Sequence, residues 1–215
     1  IDVKAAKKST SEKISKMSGK KMSLRYAVED SKNGCAYSLY NIITPKVGLS
    51  YIENMNFSKI VQQDYTLSSG LGGLHHGTNT VEMANAYSTL ENHGEYRQAD
   101  CISSILDASG NEIYEEPESK TVYTRSASDQ MTDILEGVLN SSAGTAKGLK
   151  WSSASDVAAA AKTGTTNDNN VAWFCGYTPY YTISVWVGYD YPKSVKGLWG
   201  NTYPAYIWKE AMLYM

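Results

Sequence analysis

The stretch Ala158-Ala159-Ala160-Ala161-Lys162-Thr163-Gly164-Thr165-Thr166 decides how this chain is read. Four small apolar residues run into one cation, three hydroxyls and a glycine. Such a strand is ill suited to a core and well suited to the wall of a cleft that holds an anion. The glycine leaves backbone open to close approach. The lysine supplies charge, and the threonines supply donors. A polar turn, residues 167–170, follows. Two strand-like runs come next, residues 172–177 and 181–189, joined by the turn Thr178-Pro179-Tyr180. Ile183, Val185 and Val187 alternate along the second run, as in a half-buried antiparallel strand. The expectation is a meander of three antiparallel strands that begins at Lys162.

Beyond the meander, an amphipathic helix is expected over 204–214, with Ile207, Trp208, Ala211 and Met212 as its apolar stripe. Pro204 suits its first turn. Before the meander the chain reads as mostly helical. Ser23 caps a helix over 24–30, with Leu24, Ala27 and Val28 on one face. Ser31-Lys32-Asn33-Gly34 interrupts it. Helical spacing resumes from Cys35 to Ile43, and Thr44-Pro45 ends it. Residues 46–60 read as a short helix and a turn. Residues 67–77 form a Gly-rich loop that is not a phosphate loop, because no Gly-Lys-Ser/Thr follows. Asn79 with Glu82 resembles a capping box for a helix over 81–92, with Met83, Ala86, Tyr87 and Leu90 inward and Gly94 as its stop. Residues 102–106 and 112–114 flank Asp107-Ala108-Ser109-Gly110, a hairpin signal. Ser126 with Asp129 opens a helix to Asn140 that turns Met131, Ile134, Leu135 and Val138 inward, and a small-residue loop over 141–148 leads to the opening strand. Residues 1–22 are rich in Lys and Ser without an apolar period, and 1–16 read as a loop or ragged entry segment. Helices first, then a meander and a last helix, give an α+β fold, an antiparallel sheet flanked by helices.

Totals narrow the function classes. A chain of 215 residues suits one domain or a large part of one. A net charge of −2 gives no reason to expect nucleic-acid binding. No apolar run approaches the roughly 20 residues that span a bilayer, and no signal peptide is visible. The opening Ile1-Asp2-Val3 lacks an initiator Met, so the chain is expected to be processed, truncated or cut from a longer protein. Cys35, Cys101 and Cys175 are far apart and odd in number, against a disulfide framework or a metal knuckle. Cys175 reads as a small buried hydrophobe. His75, His76 and His93 have no partners at metal-ligand spacing. Neither a metal nor a cofactor is expected.

Two places carry chemistry. Taken alone, Lys162 is a solvated strand-end lysine, and Ser31 with Asn33 is a helix-to-helix turn, since both types are favoured there. The same break can also present both side chains to a cleft. Trp173 and Tyr177 could line that cleft, although core packing suits them better.

Taken together, Ser31-Lys32-Asn33 and Lys162-Thr163-Gly164, 131 residues apart, resemble the second and third motifs of the penicillin-binding protein transpeptidase domain. The likeness is to the bifunctional, high-molecular-mass kind that also carries a glycosyltransferase. The flanks strengthen it. Ser23-Leu24-Arg25-Tyr26-Ala27-Val28 is similar to the family's lead-in helix. Leu71-Gly72-Gly73-Leu74 and Glu82-Met83-Ala84-Asn85-Ala86-Tyr87 are similar to its mid-domain loop and helix. Ala172-Trp173-Phe174, Gly176-Tyr177-Thr178-Pro179 and Trp186-Val187-Gly188-Tyr189-Asp190 are similar to its last strands. The resemblance covers residues 17–215. Val171 departs from it, because relatives carry Asp there. The larger departure is the nucleophile motif, Ser-x-x-Lys, expected some tens of residues before Ser31. Residues 1–16 hold nothing suitable, and Ser18-Gly19-Lys20-Lys21 lies too close to Ser31. Residues 1–215 are therefore expected to be the C-terminal portion of one transpeptidase domain of the penicillin-binding and serine β-lactamase-like fold. The N-terminal remainder of that domain would carry the nucleophile.

The resemblance implies a D,D-transpeptidase that moves an acyl group from a D-Ala-D-Ala stem peptide of peptidoglycan to an acceptor amine. It implies Ser31, Asn33 and Lys162 as catalytic residues. Ser31 would relay a proton, Asn33 would donate to the substrate carbonyl, and Lys162 would attract the terminal carboxylate. Thr163, Gly164 and Thr165 would bind substrate, with the Thr165 N–H as one oxyanion donor. β-Lactams would be covalent inhibitors. The place of action would be the extracytoplasmic face of a bacterial membrane, with anchoring only through an absent upstream segment. The alternatives are a D,D-carboxypeptidase or β-lactamase-like hydrolase, for which no dedicated base for a deacylating water is identified, and a degenerate binding domain of the same fold.

Overall fold

The computed structural model describes residues 22–215. The expectation for residues 1–16 and the rejected Ser18 motif lie outside the described residues.

Ser23 accepts from the Tyr26 N–H and starts α1, Leu24–Glu29. Helix α2, Asn33–Ile43, begins two residues earlier than expected, so the break shrinks to a tight turn. Thr44 closes α2 with its own N–H and caps α3, Pro45–Asn54, where the proline occupies the first turn. Asn79 caps α4, Thr80–Glu91, through the Glu82 N–H. The Glu82 carboxylate meanwhile collects the Ser58 N–H, the Ser58 hydroxyl and the Thr78 hydroxyl. Three hydrogen bonds hold its pKa below the usual range against the opposing effect of burial.

The expected hairpin over 102–114 is reduced to one bridge between Leu106 and Glu112. Asp107 spends its carboxylate on the N–H groups of Ser109 and Asn111, which makes the turn without a ladder beyond it. The ladder forms elsewhere, between β1, Glu95–Tyr96, and β2, Lys120–Thr121. Thr124, rather than Ser126, caps α5, Arg125–Asn140. Its hydroxyl reaches the Ala127 N–H, which leaves Ser126 to bond Gln130.

The meander forms in the expected order: β3, Ala160–Thr165, β4, Val171–Tyr177, and β5, Thr182–Gly188, all antiparallel. Register pairs Lys162 with Cys175 and Cys175 with Ser184. One face therefore carries Lys162, Gly164, Trp173, Cys175 and Tyr177. It meets α4 and α5, where Tyr177 Oη lies 2.8 Å from Thr132 Oγ1 and its ring tilts against Tyr87. The opposite face carries Phe174 and meets α6, Tyr203–Tyr214. Trp208 is buried there between Trp151 and Phe174, and its Nε1 donates to Gly176 O at 3.1 Å. Ile207, expected in the stripe, is exposed, and Ala205 is buried in its place. A stripe centred on Trp208 takes residues three and four away, and Ile207 lies one step round the helix. Leu24 is likewise exposed, one turn before the buried Ala27. Among the described residues no helix is long and apolar enough to cross a membrane.

Candidate active site

Ser31 sits where α1 ends. The Lys32 N–H bonds Ala27 O at 2.8 Å and the Ser31 N–H bonds Val28 O at 3.1 Å, the two bonds of a Schellman turn. Ser31 takes its left-handed position, with φ +52°, where glycine is usual. The chain reverses sharply at this residue and turns its hydroxyl toward the sheet. Lys32 points the other way and pairs with Asp30 at 2.6 Å.

Lys162 comes to meet Ser31 from β3. Its Nζ donates to Ser31 Oγ at 2.7 Å and to Thr163 O at 2.9 Å. Burial depresses the Lys162 pKa to about 8 from an ordinary 10.5. On the same sheet face, burial pushes the Cys175 thiol up to about 11, so Cys175 is a neutral neighbour and no nucleophile.

Among the described residues no strand pairs with the far edge of β3, and that edge is the other half of the site. The Thr166 N–H bonds Val171 O at 3.0 Å. Antiparallel ladders alternate, so the backbone groups of Thr163 and Thr165 turn away from β4. The Thr165 N–H is thus a donor on an unpaired edge, and Thr163 O accepts from Lys162 there. Both threonine hydroxyls already have partners. Thr163 Oγ1 lies 2.8 Å from Thr145 Oγ1, and Thr165 Oγ1 accepts the Gly200 N–H at 2.9 Å. As an acceptor, Thr165 keeps its hydroxyl proton for a ligand. Asn33, first residue of α2, is exposed, and no side-chain bond joins it to Lys162 among the described residues.

Of the expected residues, Ser31, Lys162, Thr163, Gly164 and Thr165 thus lie in one neighbourhood, and Asn33 stands at its rim two residues from Ser31. Tyr177 belongs to the core, and Trp173 joins Trp186, Thr78, Asn79 and Thr80 around a separate cavity of about 230 Å³. Thr145 and Gly200 were not singled out by sequence. Thr145 lies in the small-residue loop over 141–148, and Gly200 lies between the last strand and the last helix, in a stretch that carries no motif. A Cβ on Gly200 would stand 2.8 Å from Gly164 N and O, so that loop lies directly on the bare part of β3. Asn201 Nδ2, next along, donates to Thr145 O at 2.9 Å. Among the described residues no three His, Cys, Asp or Glu side chains gather as a metal cage. The site has parts that suit acyl transfer at a substrate bearing a carboxylate: a cation, a hydroxyl bonded to it and an edge N–H.

Comparison with known proteins bears on the family and the fold. The family model described as "Penicillin binding protein transpeptidase domain" matches residues 2–213. Penicillin-binding protein 4 of Bacillus subtilis (strain 168) is 33 % identical over 189 residues, 87 % of this chain and 30 % of that protein. Penicillin-binding protein 1A of Clostridium novyi (strain NT) is 34 % identical over 176 residues, 81 % of this chain and 20 % of that protein. The chain thus spans less than a third of the length of these curated relatives. Among solved structures, the PonA1 protein from Mycobacterium tuberculosis in complex with penicillin V superposes with a TM-score of 0.75 at 24 % identity, over 88 % of this chain and 55 % of that one. Penicillin-binding protein 1A from Haemophilus influenzae gives 0.72 at 19 % identity, over 89 % of this chain and 34 % of that one. At these identities the structural likeness bears on the fold.

Proposed function

This chain belongs to the penicillin-binding protein transpeptidase family, and from that premise we propose that it is the C-terminal portion of a serine D,D-transpeptidase domain that cross-links peptidoglycan. The observation that carries the reading is the 2.7 Å bond from Lys162 Nζ to Ser31 Oγ, between two motifs that lie far apart in sequence.

The nucleophilic Ser and its Lys lie on the N-terminal remainder of the domain, outside residues 1–215. That Ser attacks the carbonyl of the penultimate D-Ala of a stem peptide. Its proton passes through the Ser31 hydroxyl to the departing amine, while the Thr165 N–H and the nucleophile's own N–H hold the oxyanion. Lys162 supplies positive potential for the terminal carboxylate, and the Thr163 and Thr165 hydroxyls hold it. Gly164 leaves the strand bare so that the peptide lies along its edge. Asn33, at the rim, donates to the substrate's amide carbonyl. An acceptor amine then takes the acyl group. β-Lactams enter the same site and stay as slowly hydrolysed esters. Since peptidoglycan lies outside the membrane, the domain works on the extracytoplasmic face, with any anchor outside the described residues.

The test is labelling by a fluorescent penicillin. The full-length protein is expected to form a stable adduct, and residues 1–215 alone are expected to form none. Labelling of the isolated chain would show that the nucleophile lies within it. Rapid turnover of penicillin by the full-length protein would favour a hydrolase instead.

A further inference from the structure

Glu29 is the last residue of α1, two positions before Ser31, and it is buried at 6 % exposure. A buried carboxylate next to a strained turn needs a reason. Its Oε2 accepts the Ser141 hydroxyl at 2.7 Å, and its Oε1 lies 3.6 Å from the Arg25 guanidinium. Arg25 in turn donates to Asp133 O at 2.8 Å and pairs with the Asp133 carboxylate. The Glu29 main-chain carbonyl takes the Thr145 N–H at 3.1 Å. Through one residue, α1 is therefore fastened to the end of α5 and to the loop behind it.

An independent feature matches. Gly137 stands inside α5, where glycine costs about 1 kcal/mol relative to alanine. A Cβ at Gly137 would overlap Glu29 Oε1. The glycine is a notch for this carboxylate. From Thr145 the connection runs on to Thr163 of β3, one residue from Lys162.

We propose that Glu29 is a positioning residue: its carboxylate, seated in the Gly137 notch and bonded to Ser141, fixes the α1 turn so that the Ser31 hydroxyl stays against Lys162. Ser31 needs such a hold, because a serine at φ +52° is backbone under strain. Released, the turn relaxes and the hydroxyl leaves its partner. For catalysis the inference rests on the transpeptidase reading. For geometry it stands without it.

The experiment uses the full-length protein and two readouts, the acylation rate with a fluorescent penicillin and backbone hydrogen exchange of residues 30–34. Glu29→Ala is expected to slow acylation about ten- to a hundredfold, the scale of a displaced reacting group, and to speed exchange in that segment. Glu29→Gln keeps the shape and an acceptor for Ser141, so it is expected to stay within about threefold of wild type. Gly137→Ala fills the notch and is expected to resemble Glu29→Ala. Val138→Ala opens a core cavity and removes none of the Glu29 hydrogen bonds, so it controls for general destabilisation. Acylation by Glu29→Ala at the wild-type rate overturns the proposal. So does an equal slowing by Val138→Ala at an equal loss of melting temperature. If wild type is not acylated at all, the transpeptidase reading fails, and exchange decides alone. Faster exchange at 30–34 in Glu29→Ala, absent in Val138→Ala, supports the positioning role, and unchanged exchange overturns it.

Discussion

The Lys162 ammonium donates to the Ser31 hydroxyl at 2.7 Å, joining a β-strand to a helix-ending turn. Two groups that are unremarkable apart become a donor–acceptor pair when brought together. Lys162→Ala in the full-length protein is expected to slow acylation by penicillin about 10²- to 10³-fold, the scale of removing one charge contact within the reacting complex. Stopped-flow or gel-based labelling rates measure it. An unchanged rate would remove Lys162 from the mechanism.

Burial holds the Lys162 pKa at about 8, below its ordinary 10.5, which gives two opposite pH dependences. Between these values the unfolded chain binds the extra proton, so stability rises with pH there. Below pH 8 the folded protein bears the full cost of a buried ammonium, and that cost is relieved from about pH 8 upward. Activity runs the other way, because the charge that attracts a carboxylate is lost above pH 8. Acylation efficiency is expected to fall through an apparent pKa near 8. The thermal midpoint of wild type, relative to Lys162→Met, should climb over the same range. A rate that stays flat to pH 10 would mean that the lysine charge is not used.

The strands β3, β4 and β5 were legible because alternation and turn residues are local signals. The sequence puts the start of α2 two residues late, because Ser31-Lys32-Asn33-Gly34 reads as turn throughout, whereas Asn33 already belongs to the helix. The pairing of Glu95 with Thr121 was not legible, since strands of two residues carry no period. Thr145 and Gly200 carry no local signal for a different reason. Their importance lies in what they touch, Thr163 and Gly164, and small residues in loops give no hint of a tertiary partner. Lys162, by contrast, was conspicuous, because a cation ending an alanine run does not suit a core.

Trp208 supports the sheet from behind, between Trp151 and Phe174. Trp208→Ala is expected to cost about 3–5 kcal/mol, as for large aromatic truncations in cores. Trp208→Phe should cost less, chiefly the hydrogen bond to Gly176 O, about 1 kcal/mol. Denaturant midpoints of the full-length protein measure both. Equal losses for the two variants would show that packing volume contributes little here.

Gly200 lies against the one stretch of β3 without a side chain. Its N–H reaches Thr165 Oγ1 at 2.9 Å, and its missing Cβ leaves room for Gly164 N and O. The obstacle to a larger residue is backbone on one side and Thr163 Cβ on the other, neither of which can rotate away. Gly200→Ala must therefore push the loop off β3, at a cost of about 1–3 kcal/mol for overpacking. The same movement breaks the bond to Thr165 and drags Asn201 from Thr145 O, so both threonines beside Lys162 lose their setting. Acylation is expected to fall about tenfold or more, at the scale of a misplaced binding group. A variant that loses stability and keeps its rate would show that this loop covers the strand without shaping the site. Loss of rate with an unchanged melting temperature would point instead to direct contact between the loop and the substrate.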